Sequence, residues 1–369
     1  MSMPFPDEES GVSFEKVAGV DVIRNFGSPR DEYEAAVTRV AVRFRGHRAQ
    51  WRFEGRQPVE MLSGVVTGVM PEPLQEVEPG VLAGKATYHT VLTPKGKIVA
   101  DLRLWRRDEG DGVHLRADLS HGAAPALAEL LSRTLPPRLV KRVDLGDATG
   151  MLTVLGPEAS RLLAATVVGL RVDQSDLDEL EEGELRMLAD SGGDQLLVIR
   201  NGDLSVPAFD VVGHRDVLRS AWRHLTQGGA ARVGRDSWDV LRVEAGRPDY
   251  LTELADEIIP VEAGIHDRAI DYDKGCYTGQ EVIVRIRDRG RVNRSLRRLR
   301  LDIDAPLPEA GTELFRERDR PVGHLTSVAD SPREGKLALA YVRREVEAGQ
   351  TVHVGALDGP RARVEELEV

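Results

Sequence analysis

The stretch DYDKGCYTGQEVIVRIRDRGRVNR, residues 271–294, holds the residues best suited to chemistry. Cys276 is the one cysteine among 369 residues. It stands between Gly275 and Gly279, with Lys274 two positions before it. Glycines four apart let the backbone take positive φ and bring N–H groups close to a ligand or a neighbouring segment. A lysine so placed favours the thiolate, lowering a thiol pKa that starts near roughly 8.5. A lone cysteine is more often inert and buried, by roughly two to one; the flanking glycines and lysine tilt this one towards exposure and function. Beyond the loop, alternation puts Arg285, Arg287, Arg289 and Arg291 on one face of an extended segment, with Val284 and Ile286 on the other. Eight arginines fall in the sixteen positions from Arg285 to Arg300. Guanidinium forks suit carboxylate or phosphate. Ion pairing with neighbouring acidic surface is the alternative, and the sequence leaves the two even.

Other chemistries find no support. The nine histidines are scattered, none paired at three- or four-residue spacing, and one cysteine gives no zinc or iron–sulfur ligand set; no metal site is expected. There is no GxxxxGK[ST], no GxGxxG after a strand and no GxSxG elbow. A net charge of −11 argues against a protein that coats nucleic acid. The acidic run DQSDLDELEEGE, 173–184, reads as a solvated face. A single cysteine suits a reducing compartment, MSMPFPDEESG lacks a secretory signal, and no run approaches the roughly 18 apolar residues of a membrane span. The expectation is a cytoplasmic protein with no membrane partner.

These residues need a scaffold of more than one core, because 369 residues exceed one ordinary domain. Residues 1 to about 30 read as a loose lead-in. From Asp31 a helix-like piece turns into alternating strand, and QPVEMLSGVV has helical spacing. TYHTVLT and KIVADLRLWR form a β-hairpin turning at Pro94-Lys95-Gly96. APALAELLSRTLPPRL is an amphipathic helix stopped by its prolines. A strand, a glycine turn and a helix near 50–68 recur near 151–169, which suggests two related α+β units. RDVLRSAWRHLTQGG is a further helix, and LRVEAG and IPVEAG both end in an E-A-G turn. After Arg294, short strands between Pro and Gly turns read as a β-barrel or sandwich.

KGCYTGQEVIVR resembles, almost letter for letter, the signature loop of the YgfZ family, folate-binding proteins of iron–sulfur enzyme maintenance. That family is related to the glycine cleavage T-protein, an aminomethyltransferase. LRVEAGRPDY, IPVEAGI, VNRSLRRL, PVGHLTS and ALAYVRR fit the same pattern, as does the hairpin TYHTVLTPKGKIVADLRLW, so the likeness spans most of residues 30–369. It implies an α+β, T-protein-like architecture: residues 30–147 with 239–290 as a first domain, 148–238 as a second and 291–369 as a C-terminal barrel. It further implies tetrahydrofolate in a central cavity, its pterin held by Glu244 and its glutamyl tail met by Arg285. Tyr277, Gly279, Gln280 and Tyr88 complete the cofactor-facing set. Cys276, Asp101 and Lys274 are the implied catalytic groups. T-proteins typically carry two adjacent aspartates where this chain has Ala100-Asp101, a departure that counts against aminomethyl transfer. The expected partners are folate and iron–sulfur client enzymes, including those that modify tRNA. RNA binding along the arginine face is less favoured, and a folate-dependent aminomethyltransferase is the alternative function.

Overall fold

The protein is described here by a computed structural model covering residues 12–367, apart from 18, 111, 167–171, 190–194, 251, 255, 256, 303, 305, 306, 318 and 319. Alternation along Ile98–Glu109 decides much of the architecture. Ala100, Leu102 and Leu104 are buried in one core, while Asp101 and Arg103 project from the opposite face. This strand belongs to a five-stranded sheet ordered Val140–Asp144, Arg48–Gly55, Gly112–Ser120, Ile98–Glu109, Thr87–Leu92. Leu127 and Leu131 of helix Ala124–Thr134 cover its apolar face. Each such fully buried side chain contributes about 1.5–3 kcal/mol.

The second sheet has eight strands, ordered Ala231–Arg232, Ala41–Phe44, Thr149–Leu155, Ala208–His214, Gln195–Asn201, Glu184–Ala189, Val81–Lys85, Gln75–Glu78. Leu162 and Leu163 of helix Ala159–Thr166, and Leu218, Trp222 and Leu225 of helix Arg215–Gln227, pack on Leu152, Val154, Phe209 and Val211. Three strands from the first hundred residues enter this sheet, so the two units are stitched together by sequence-distant pairing.

The expected repeat is visible in both sheets. Strand Arg48–Gly55 leads into helix Pro58–Ser63, and strand Thr149–Leu155 leads through Gly156 into helix Ala159–Thr166. Gly55 and Gly156 both hold positive φ, 133° and 113°, and a Cβ would meet Leu139 O at 2.5 Å or Arg39 O at 2.6 Å. Residues 167–169 of the second copy lie outside the described residues. The chain closes with a six-stranded barrel, Arg294–Asp302 pairing with both Gly335–Arg343 and Arg361–Glu365.

Two expectations are corrected and one open choice is decided. The lead-in is structured from residue 13: Ser13–Val17 pairs with Val20–Asn25, and Ser28 caps helix Pro29–Thr38, while residues 1–11 lie outside the described residues. The arginine ladder is not an extended segment, because Gln280–Arg289 is helical. Its apolar residues satisfy 3.6 spacing as well as 2.0, and burial of Ile283 selects the helix. The arginines of the next strand are held by acidic neighbours: Arg294 by Glu262, Arg298 by Glu365 and Arg300 by Glu365 and Glu334. Over that half of the run, pairing with acidic surface wins over a free anion-binding face.

Candidate functional site

The polar face of the five-stranded sheet carries a charged row. Tyr88 stands opposite Arg103, Arg103 opposite Asp118, and Asp118 opposite Gln50. Asp118 accepts from Arg48 at 2.7 Å, Arg103 at 2.9 Å and Gln50 at 2.8 Å. Burial alone would raise its pKa, but Arg48 and Arg103 outweigh it and hold the carboxyl well below its usual range. Arg103 also reaches across to Asp210 of the eight-stranded sheet at 2.6 Å. Asp210 is fixed in turn by Thr153 at 2.6 Å and Asn201 at 2.9 Å. The two sheets therefore meet through these ion pairs beside an apolar cluster, in which Trp105 of the five-stranded sheet packs with Met151, Met187, Leu197 and Val212 of the eight-stranded one.

Asp101 differs from these buried aspartates. It is 8% exposed, and Oδ2 accepts from Tyr88 OH at 3.1 Å, yet among the described residues Oδ1 has no hydrogen-bond partner. Burial raises its pKa; Arg48 opposes the rise, and Asp249 and Asp203 add to it. The result is a carboxyl with raised proton affinity and a spare acceptor. Tyr88 is held from behind by Arg268, whose guanidinium lies 4.9 Å from the ring centroid. Arg268, on the short helix His266–Ala269, pairs with Asp203 at 3.1 Å and with Glu182. Asp203 titrates at about 2, because Arg268 and Arg103 overcome the effect of burial.

A cavity of about 490 Å³ opens in front of Asp101. Arg45, Arg48, Lys85, Arg103, Arg200 and Arg268 bring positive charge to its wall, against the carboxylates of Asp101, Glu182, Asp203 and Asp249. A polar, net-cationic chamber with one unpaired acceptor suits a ligand that offers N–H donors at one end and negative charge elsewhere.

Of the residues singled out from sequence, Asp101 and Tyr88 line this cavity. Ala100 points into the hydrophobic core. A second aspartate there would face away from the cavity, so its absence removes no group from the chamber. Glu244, at the end of helix Arg235–Glu244, is not among the lining residues. Its Oε1 accepts from Tyr33 at 2.5 Å and Ser331 at 2.5 Å, and its Oε2 from Ser205 at 2.6 Å and Arg333. Cys276 is exposed, outside the cavity wall, with open space beside Gly275. Lys274 donates to Val66 O and Gly68 O, both at 2.9 Å, so its ammonium ties the loop to segment 66–68. Burial brings the Lys274 pKa down to about 8. Tyr277 is buried in the first core, Gly279 caps the following helix at φ 86°, and Gln280 is that helix's first residue. Arg285 is exposed on the helix. None of these last four lines the cavity.

Sequence reasoning missed Arg103, Arg268, Asp203 and Glu182. Arg103 left a signal, since it shares the face of Asp101 two residues away. Glu182 sat in the acidic run read as solvated, and nothing local ties it to Arg268.

The fold and site define a class: two α+β units that wall a charged cavity, and a closing barrel. Residues 7–274 match the GCVT N-terminal domain, and residues 294–367 match the glycine cleavage T-protein C-terminal barrel domain. The chain belongs to the glycine cleavage T-protein family. It is 30% identical over 339 residues to the aminomethyltransferase of Rubrobacter xylanophilus, covering 90% of this chain and 84% of that one. It is 28% identical over 368 residues to the aminomethyltransferase of Corynebacterium jeikeium, covering 95% and 90%. The crystal structure of the glycine cleavage system aminomethyltransferase T from Bartonella henselae shares the fold, with a TM-score of 0.81 at 21% identity over 97% of this chain and 94% of that chain. Among the described residues, no helix is long and apolar enough to cross a membrane.

Proposed function

We propose that this protein binds a reduced folate in the Asp101 cavity and serves folate-dependent one-carbon transfer of the aminomethyltransferase kind. The observation that carries the reading is the Oδ1 of Asp101, a buried acceptor with no hydrogen-bond partner among the described residues, on a residue that lines a chamber of ligand size. A reduced folate supplies ring nitrogens that carry a one-carbon unit. Asp101, with its raised proton affinity, accepts a hydrogen bond from such a nitrogen or holds its proton. Tyr88 fixes the Asp101 carboxyl, and Arg268 fixes Tyr88. Aminomethyltransferase relatives that span nearly the whole chain support the same reading. Titration of tetrahydrofolate into wild type and Asp101→Ala tests it: the variant should bind at least about tenfold more weakly, and equal affinity overturns the placement. Release of methylenetetrahydrofolate from an aminomethyl-lipoyl carrier tests the transfer itself.

One observation favours a second reading. Cys276 is exposed on a loop tied down by Lys274, outside the cavity wall, where a thiol can meet a macromolecule. This suits the YgfZ-like role in which a folate-binding chain assists assembly or repair of iron–sulfur clusters in client enzymes, those that modify tRNA included. Cys276→Ala should leave thermal stability within about 0.5 kcal/mol and folate affinity unchanged while lowering client activity. Unchanged client activity, measured beside a positive transfer assay, leaves the transferase reading alone.

A further inference from the structure

The rim of the C-terminal barrel carries charge where the interior below it is apolar. Strand Arg294–Asp302 runs without a bulge against Gly335–Arg343, with Leu299 and Leu301 in the barrel core. A period of two puts Ser295 and Arg297 on that same face. They stand opposite Val342 and Ala340, which are core residues too. A hydroxyl and a guanidinium therefore take the first two inward positions of this strand.

A cavity of about 520 Å³ lies against them, with Val342 and Val346 of the core in its wall. Arg291, Arg297, Arg343 and Arg344 line it against two acids, Glu347 and Glu366. The acids do not neutralise the arginines. Arg297 comes no closer to Glu366 than 3.8 Å, and its Nε is buried without a hydrogen-bond partner among the described residues. Among those residues the side chains of Arg291, Arg343 and Arg344 make no ion pair or hydrogen bond, and Arg291 and Arg344 are exposed. No lining residue is shared with the Asp101 chamber, so the site is a separate one.

The arginines come from three places: the segment after helix Gln280–Arg289, strand Arg294–Asp302 and the end of strand Gly335–Arg343 with the turn beyond it. A carboxylate offers two coplanar oxygens and a single charge, which is little to set beside two fixed glutamates. A phosphate offers three divergent acceptor oxygens and nearly two charges. We infer that the barrel rim binds a phosphate group through Arg291, Arg297 and Arg344, with the organic part of a small phosphate ester resting on Val342 and Val346. Bound there, the anion ties the barrel to the end of the helix that leaves the Cys276 loop, because Arg291 lies just past that helix.

Calorimetry at about pH 8, where a phosphate monoester is doubly charged, tests the site with inorganic phosphate, glycerol 3-phosphate, malonate and a short single-stranded RNA. Wild type should bind one or both phosphates with a Kd below about 1 mM, and malonate at least about tenfold more weakly. Tighter binding of glycerol 3-phosphate assigns the site to an ester; equal binding assigns it to free phosphate. Arg291→Gln combined with Arg344→Gln changes two exposed positions. It should weaken phosphate at least about tenfold with no loss of melting temperature. Glu347→Gln should tighten phosphate, because a repelling charge leaves the rim. Three results overturn the site: neither phosphate binds below about 1 mM, malonate binds as well as phosphate, or the affinity survives the double variant. Binding of the RNA alone overturns it as well and assigns the arginines to a nucleic-acid backbone. Tetrahydrofolate affinity should be the same in every variant, so failure of the Asp101 reading and failure of this one are told apart.

Discussion

At the scale of the residue, Asp101 is set apart by what it lacks. Asp118 and Asp210 are also buried, yet both are surrounded by cations and hydrogen-bond donors, whereas Asp101 has Tyr88 and one oxygen with no hydrogen bond among the described residues. A carboxyl whose folded pKa is raised makes its full contribution below the unfolded value near 3.8 and loses it as the pH climbs through the raised one. Asp101→Asn removes that penalty and can still accept from Tyr88. The variant should be more stable than wild type by about 1 kcal/mol at pH 7, with the gap closing near pH 3.5; denaturant melts at both pH values measure it. A variant less stable at pH 7 would mean that Asp101 is held as a satisfied anion. The hairpin was legible in sequence from its clear period of two, and Asp101 and Tyr88 stood out on it through its resemblance to the T-protein hairpin. Arg268 was not, since its partners Glu182 and Asp203 lie 86 and 65 positions away and local pattern carries no trace of them.

At the scale of the element, the loop and helix after Asp271 show how a local pattern can point both ways. VIVRIR alternates like a strand, and its β-branched residues favour one. Gly279 settles the matter: at φ 86° it starts the helix, and a Cβ there would meet Thr93 O at 2.7 Å and Leu92 Cβ at 3.1 Å. The close approach packs the helix start onto the hairpin turn that follows Leu92, where a Cβ on Gly96 would in turn meet Val282 at 3.0 Å. Gly279→Ala should therefore cost at least about 2 kcal/mol. Gly275→Ala, with nothing within 4 Å of its Cβ, should cost less than about 0.5 kcal/mol. Equal losses in denaturant melts would show that the glycines serve flexibility and not fit. The two E-A-G segments were readable as turns, but their common packing partner was not. Gly246 and Gly264, at φ 67° and 71°, both pack against Leu367 near the end of the chain.

At the scale of the molecule, the barrel is fastened to the α+β units by buried polar clamps that no single segment announces. Arg242 donates to Glu253 at 3.0 Å and to Ser327 of the barrel at 2.7 Å. Glu244 gathers Tyr33 from the first helix, Ser205 from the loop beyond Asn201, and Ser331 and Arg333 from the barrel. The motif LRVEAG was legible, and its arginine and glutamate stood out, but the sequence suggested a ligand contact where the structure supplies four protein donors. Those donors lower the Glu244 pKa against the effect of burial. The stabilisation they give is therefore present above the ordinary value near 4.5 and is lost as the pH falls. Glu244→Gln should cost about 2 kcal/mol at pH 7, a figure kept modest because Arg333 is partly exposed and screened. The loss should shrink below pH 4 as wild-type Glu244 protonates. If Glu244 acts as a clamp, tetrahydrofolate affinity measured on the folded variant stays within about twofold of wild type while the melting temperature drops. A large loss of affinity with an unchanged melt would instead return Glu244 to the ligand, and would require that Arg333 and Tyr33 release it on binding.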